Sequence, residues 1–501
     1  MGIGYRLIVT WPMSNFTDKA IKGIKWTSVS VISNSLIRIL QVSILTRYLS
    51  KADFGTIAIA SLFIGFTELF IDMGLSVAII HKQNIPKNHY SSLFWLNVIT
   101  GLALLIILLL FASVISGYYK DDSLTPIIQW LSLNVFFSSV GRQHKTLREK
   151  KLDFKMIALT DVATNVLTFC LAVILALKGF GVYSLVYSTV FGICMSSMIY
   201  LTYGLRSDRN ITLHFKLSET LDYLKIGIFQ IGSNFLDYFS RELDILIISS
   251  TMGRDILGVY SLCKKIVIMI YSIISPIMMR VLIPMLAEIQ DSVTDMRGKF
   301  SKLMEIGSTT NYLMFFMVAL MSPWILRVLY GNEYVDYYMI LSLLAISYGI
   351  LSVSGIMTAS QVAMGRTDIG FYWTIYGILS KALFIYIGSF FSIIGIVTAL
   401  LVGTIINLTP FWYIQIRTLL KIPLKTFLGK QFAPFIVASS LFFGLQFFIQ
   451  NDISFITMSL VAIGFIIVYV VSLAILTPNN FTLKLGVSLA KDFKAKYQLR
   501  K

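Results

Sequence analysis

Fourteen stretches of mostly apolar residues, each close to twenty long, follow one another along this chain of 501 residues. About twenty residues is what a helix needs to cross the hydrocarbon core of a bilayer. In hydrocarbon every backbone N–H and C=O must find a partner within the chain, so runs of this length cross as helices. The runs are 24–45, 55–80, 92–117, 124–141, 157–177, 180–202, 222–248, 257–285, 306–326, 337–360, 371–388, 393–416, 431–449 and 454–476. The predicted fold class is an all-α polytopic membrane protein with fourteen transmembrane helices. Composition agrees: 13% of the residues are charged, against roughly a quarter in a soluble chain. That excludes a cytosolic enzyme, a disordered chain and a secreted disulfide scaffold.

The net charge of +17 would suggest nucleic acid in a soluble protein. Here the basic residues lie in the loops, where they face an anionic inner leaflet, and no nucleic-acid partner is expected. With the N-terminus inside, and with the span-end lysines Lys25 and Lys225 counted in the inside loops, 30 of the 42 Lys and Arg fall in inside loops and tails. Six fall outside (Arg47, Lys51, Lys120, Lys178, Arg254, Arg327) and six within spans. The positive-inside rule then predicts a multi-pass membrane protein with both termini cytoplasmic. The cluster Arg142, Lys145, Arg148, Lys150, Lys151 and Lys155 reads as a topology anchor. The first span is long, polar-striped and followed by no cleavage site, so it is not a removable signal peptide. Met13 reads as a natural start, and residues 1–12 receive no role.

Outside connections are about ten residues or fewer, and no soluble domain stands on either face. A nucleotide-driven pump needs a phosphate-cradling G-x-x-x-x-G-K-[ST] loop, which the sequence lacks. H-E-x-x-H and Cys/His clusters at zinc spacing are also missing, and Cys170, Cys194 and Cys263 lie in apolar stretches. No catalytic residue, metal or cofactor is predicted, and the chain is not read as an enzyme.

Set against itself at an offset of 203 residues, the chain places Arg38 on Arg241, Leu40 on Leu243, Lys51 on Arg254, Phe54 on Leu257 and Gly55 on Gly258. The offset spans six helices, an even number, so both copies cross in the same direction. Parallel repeats imply two lobes related by a pseudo-two-fold axis along the membrane normal, with a site between them. The predicted organisation is a cytoplasmic segment 1–23, an N-lobe 24–205 of six helices, a C-lobe 206–417 of six helices, a terminal helix pair 418–476 and a basic tail 477–501.

The seventh span carries Gln230, Ser233, Asn234, Asp237, Arg241 and Asp244 on one face of a 3.6-residue helix. The first span repeats the pattern with Thr27, Ser30, Asn34, Arg38 and Gln41. A charge in lipid costs at least ~2.5–3.5 kcal/mol, so both stripes must face protein or water. Either Asp237, Arg241 and Asp244 pair along their own helix, or they line a hydrated cavity; the two are compatible. Arg38 has no carboxylate within a turn. Lys264 and Lys265 on the eighth span and Lys381 in mid-span on the eleventh add cations, while Glu68 and Asp72 sit one turn apart on the second. The expected anion-binding set is Arg38, Arg241, Lys264, Lys265 and Lys381. Asn34, Gln41, Gln230, Asn234 and Asp244 would line the cavity. Glu68, Asp72 and Asp237 could load a proton or Na⁺, because burial favours the neutral carboxyl; the same carboxylates could instead simply hold the cations. Pro276 and Pro284, Pro323 and Pro410 interrupt the eighth, ninth and twelfth spans, either as static bends or as hinges.

Short motifs then carry a resemblance. They are Leu49-Ser50-Lys51-Ala52-Asp53-Phe54-Gly55, Asp72-Met73-Gly74-Leu75-Ser76 with Ala78-Ile79-Ile80, Lys151-Leu152-Asp153-Phe154, Pro284-Met285-Leu286 with Ile289-Gln290-Asp291, and Gly365-Arg366-Thr367-Asp368. In this order and spacing the chain resembles, through its twelfth span, the Wzx-type flippases of the multidrug/oligosaccharidyl-lipid/polysaccharide superfamily, which handle O-antigen, colanic or teichuronic acid repeat units. The resemblance implies fourteen helices in two lobes plus a terminal pair. It implies transport of an undecaprenyl-diphosphate-linked oligosaccharide across the bacterial inner membrane, from the cytoplasmic to the outer leaflet, by alternating access through an electropositive cavity, the prenyl tail remaining among membrane lipids. A polysaccharide polymerase and chain-length machinery would be pathway partners. No site residue carries over by motif. Two other readings stay open: a cation-coupled drug antiporter of the same superfamily, which would want an acidic cavity, and a membrane polymerase or glycosyltransferase, which would want a large outside loop.

Overall fold

The computed structural model describes residues 13–82, 85–207, 211–289, 292–446, 455–477 and 480–484. Among them the regular structure is entirely helical. The order is α1 (Met13–Leu45), α2 (Lys51–Ile71), α3 (Leu75–His81), α4 (Lys87–Tyr119), α5 (Leu124–Lys150), α6 (Phe154–Leu177), α7 (Tyr183–Ser207), α8 (Leu221–Thr251) and α9 (Arg254–Ala287). It continues with α10 (Val293–Leu320), α11 (Ser322–Tyr330), α12 (Tyr338–Ala363), α13 (Thr367–Ser389), α14 (Ile393–Ile406), α15 (Leu408–Phe411), α16 (Thr418–Leu420), α17 (Leu424–Gln446) and α18 (Phe455–Leu476).

The fourteen expected spans fall mainly on helix where their residues are described; 447–449 and 454, at the ends of the last two, lie outside the described residues. Twelve helical segments among the described residues are long and apolar enough to cross a membrane on those criteria alone. The two expected spans outside that set are α5 and α8, helices of 27 and 31 residues, and both are polar for visible reasons. α5 is wrapped by protein: Ser132, Asn134, Ser139, Gln143 and His144 are all buried, so it needs little lipid-compatible surface. α8 carries the charged stripe.

Sequence punctuation explains the breaks. Pro410 cannot donate to the carbonyl four residues back and its ring crowds that carbonyl; that residue is Ile406, where α14 ends. A π turn over Trp412–Arg417 then carries the chain to α16. Pro323 opens α11, one turn after the end of α10. The second span breaks at Met73 and Gly74, both at positive φ (45° and 70°). Gly74 is required twice over, since a Cβ there would collide with the backbone of Gly227 on α8.

Contacts divide the chain into two compact units. The first comprises residues 1–41 and 63–235, with α5 at its centre against α3, α4, α6 and α7. The second comprises residues 42–62 and 236–501. Its central helix, α12, packs on α9, α10, α13 and α14, and α17 and α18 pack on α10. α12 tolerates a run of buried serines because their hydroxyls bond back to their own helix, as Ser347 does to the Leu343 carbonyl (2.9 Å) and Ser352 to that of Gly349 (2.7 Å). Tyr469 anchors α18 by donating to the Thr309 carbonyl on α10 (3.0 Å).

Within the second unit the internal repeat becomes a physical contact. A Cβ on Gly55 would strike the carbonyl of Arg254, and one on Gly258 would strike the carbonyl of Lys51. These are the residues the 203-residue offset equates. Each copy's glycine receives the other copy's basic residue backbone, the close approach that small residues permit between membrane helices.

Candidate functional site

Asp244 on α8 is the centre of a charged cluster in the second unit, its side chain only 4% exposed. Lys264 on α9 reaches Asp244 Oδ1 at 2.9 Å and Glu242 Oε2 at 3.2 Å. Lys264 also donates to the Arg241 carbonyl at 2.8 Å. Lys381 on α13 approaches the same Oδ1 at 3.3 Å and donates to the Ser240 carbonyl at 2.8 Å. Tyr260, one turn before Lys264 on α9, donates to Asp244 Oδ2. Arg241 Nε lies 3.3 Å from Glu242 Oε1, and its guanidinium stands 6.0 Å from the Tyr238 ring.

Burial separates the cations by role. Lys264 is 3% exposed, with its three N–H donors directed at two carboxylates and a carbonyl. Lys381, at 24%, shares its carboxylate with Lys264. Arg241 is 59% exposed and presents most of its planar fork outward. Three cations (Arg241, Lys264, Lys381) against two carboxylates (Glu242, Asp244) leave a net +1. Of the three cations, Arg241 has the side chain best matched in shape to phosphate oxygens.

The structure therefore joins Arg241, Lys264, Lys381 and Asp244, four residues of the sequence-derived set. It draws in Glu242 and Tyr260, which periodicity did not flag. Glu242 is off the stripe, one residue past Arg241, and Tyr260 looks like an ordinary aromatic of an apolar span. Its signal was its place one turn from Lys264. Arg241 pairs with Glu242 rather than with Asp237 or Asp244. Lys265 is exposed beside Lys264, and Asn234 is half-buried on α8. Asp237 is exposed and forms no ion pair among the described residues. The side chain of Gln230 lies outside the described residues.

The remaining candidates lie in or near the first unit. Arg38 is exposed and has no ion-pair partner among the described residues. Asn34 Nδ2 donates to Ser30 Oγ at 3.2 Å, while its buried Oδ1 accepts from no donor among the described residues. Gln41 is half-buried at the end of the same stripe. Asp72 accepts from the Ser76 hydroxyl and, at 3.3 Å, from the Ser76 N–H, capping the start of α3. Arg142 of α5 lies 3.5 Å from it, and Ser76 Oγ is 2.8 Å from Thr146 Oγ1. Glu68, exposed on α2, stands in the field of the same Arg142. No group of three or more His, Cys, Asp or Glu among the described residues is arranged to hold a metal.

A many-helix membrane protein with charge clusters inside its helical units has the build of a membrane transporter, and its fold is that of known ones. It is similar to the lipid II flippase MurJ in its inward closed conformation (TM-score 0.74, 14% identity, 91% of this chain and 99% of that one). It is similar, less closely, to the Vibrio cholerae MATE transporter VcmN (TM-score 0.53, 14% identity, 83% and 99%).

The chain belongs to the polysaccharide biosynthesis protein family, whose profile matches residues 44–339. Relatives include the Bacillus subtilis (strain 168) teichuronic acid biosynthesis protein TuaB, 25% identical over 437 residues, or 86% of this chain and 89% of the relative. The Escherichia coli (strain K12) lipopolysaccharide biosynthesis protein WzxC is 24% identical over 422 residues, 83% and 85% respectively. The Rhizobium meliloti (strain 1021) succinoglycan biosynthesis transport protein ExoT is 24% identical over 360 residues, 71% of each. The chain is thus a multi-pass membrane transporter of a polysaccharide-biosynthesis family, with a fold shared by MurJ and the MATE proteins, and not a membrane polymerase or glycosyltransferase.

Proposed function

We propose that this protein flips an undecaprenyl-diphosphate-linked oligosaccharide repeat unit from the cytoplasmic to the outer leaflet of the bacterial inner membrane, with both termini in the cytoplasm, for surface polysaccharide synthesis. The observation that carries the reading is the net-cationic cluster of Arg241, Lys264 and Lys381 around Asp244 and Glu242. An exporter of cationic drugs would need the opposite sign of charge. The family membership and relatives such as WzxC and TuaB support a cargo from polysaccharide synthesis.

In this reading each side chain has a distinct task. Arg241 meets the diphosphate first, through its exposed fork. Lys381 follows, because the arriving phosphate competes with Asp244 for the Nζ that the two now share. Lys264 stays with Asp244 and Glu242 and fixes the α8–α9 geometry. When the head group leaves, Asp244 reclaims Lys381, so the site is not left as an uncompensated cation. Arg38, the repeat equivalent of Arg241 and an exposed cation of the first unit, is the other arginine assigned to phosphate recognition. Coupling to H⁺ or Na⁺ falls to Glu68 and Asp237, the two of the three candidate carboxylates that form no ion pair among the described residues; Asp72 is already held by Ser76 and Arg142.

The test is to follow labelled repeat-unit lipid in cells lacking the gene and complemented with variants. Arg38→Ala and Arg241→Ala should leave the lipid on the cytoplasmic leaflet while protein level and membrane insertion persist. Normal surface polysaccharide in both variants would refute the assignment.

A further inference from the structure

The hairpin between the twelfth and thirteenth spans holds a second cationic feature, far in sequence from the cluster on α8. Its apex, residues 421–423, joins two helical segments apolar enough to cross the membrane, Ile393–Leu420 and Leu424–Leu445, so it lies at a membrane face. A hollow of about 460 Å³ opens there, lined by Trp412, Arg417, Lys421, Ile422, Pro423 and Leu424. That falls within the roughly 300–1,000 Å³ of small-molecule sites.

Three local features build it. Trp412 Nε1 donates to the Ile422 carbonyl at 2.8 Å, folding the hairpin apex back onto the helix. The π turn over Trp412–Arg417 stacks residues five apart, which α-helical spacing would send to different faces; Thr418 Oγ1 accordingly donates five residues back, to the Tyr413 carbonyl (3.2 Å). The turn brings the Arg417 guanidinium to 5.7 Å from the Trp412 ring and 5.3 Å from the Tyr413 ring. Lys421 ends the helix in the left-handed region (φ 50°). Neither Arg417 nor Lys421 pairs with a carboxylate among the described residues.

We infer that this hollow binds the phosphodiester head group of an anionic phospholipid. Arg417, with its guanidinium near both the Trp412 and the Tyr413 rings, and Lys421 take the phosphate oxygens. Trp412 and Tyr413 sit where such rings favour the membrane interface, and Ile422, Pro423 and Leu424 contact the glycerol and the start of the acyl chains. A topology anchor needs positive charge but no hollow, and no π turn to aim it. The inference requires only that the chain sits in a bilayer, and it stands whether or not the cargo reading holds.

The test is native mass spectrometry of the full chain exchanged into detergent with equimolar phosphatidylglycerol and phosphatidylcholine. The wild type should retain phosphatidylglycerol over phosphatidylcholine by roughly tenfold or more, the scale set by two cations at the surface. Arg417→Ala with Lys421→Asn, the latter compatible with positive φ, should abolish that preference. A charge-matched control, Lys87→Gln with Lys155→Gln, should keep it. Should the double variant fail to fold, Lys421→Asn alone is read in the same way and should lose most of the preference. An unchanged preference in the hairpin variants, an equal loss in the control, or displacement of the lipid by millimolar inorganic phosphate would each overturn the proposal.

Discussion

Replacing Asp244 by Asn is the sharpest test of how the α8 cluster is built. The change keeps shape and removes one charge, leaving Lys264, 3% exposed, with Glu242 as its one carboxylate partner among the described residues. Breaking a buried pair from one side typically costs about 3–5 kcal/mol. Glu242 at 3.2 Å and the Arg241 carbonyl at 2.8 Å still hold the ammonium, so the lower end, about 3 kcal/mol, is expected. Lys264→Met should cost a similar amount, since it takes from the buried Asp244 carboxylate its shortest ion pair, leaving it to the Lys381 ammonium at 3.3 Å and the Tyr260 hydroxyl. The double variant should cost less than the sum by at least ~1 kcal/mol, as for residues in direct contact. Arg241→Ala sets the contrast: its side chain is 59% exposed with one contact at 3.3 Å, so stability should change by under about 1 kcal/mol while export fails. Detergent-to-SDS unfolding titrations read the stabilities, and repeat-unit export reads the function. Wild-type stability in Asp244→Asn, or strict additivity in the double variant, would refute the idea that Asp244 and Lys264 form the frame on which Arg241 and Lys381 work.

Lys381→Glu should impair export more than Lys381→Ala, because it adds repulsion toward diphosphate as well as removing a contact; equal activity of the two in the polysaccharide assay would deny Lys381 a cargo contact. Gly258→Leu and Gly55→Leu should each destabilise by about 1–3 kcal/mol or more in the same SDS titration, as overpacking against unyielding backbone does, and wild-type stability in either would mean the α2–α9 approach is not tight. Outside the membrane, the Ser92 hydroxyl (2.6 Å) and then His214 (3.1 Å) hold the Glu219 carboxyl below its ordinary range. A depressed carboxylate contributes stability that is present above its unfolded pKa and lost as pH falls through the folded one. Hydrogen exchange over residues 212–220 should therefore quicken below the usual carboxylate range, and Glu219→Gln should remove that acid-dependent step.

What the sequence could reveal here depended on the range of each signal. A span is a local property, written in about twenty consecutive residues, so the twelve helical segments long and apolar enough to cross were legible, and so was the charge of α8 through its 3.6-residue period. The break at Met73–Gly74 was not, because it depends on Gly227 arriving from another helix. Arg241 was visible as a stripe residue, but its pairing with Glu242 was not, since stripe logic seeks partners three or four residues away and this one is adjacent. Lys264 drew attention as a cation in an apolar run; only its 2.9 Å approach to Asp244 separates a framing lysine from one free to meet cargo. The internal repeat gives the complementary lesson. Aligning Gly55 with Gly258 and Lys51 with Arg254 is a statement about two copies of one pattern, and pattern alone does not say that the copies touch. Yet each glycine meets the other copy's carbonyl. A residue kept small in both copies at a crossing of two helices is what a reciprocal contact requires, because any side chain on either partner would push both backbones apart. The sequence match and the close approach are two views of one packing constraint.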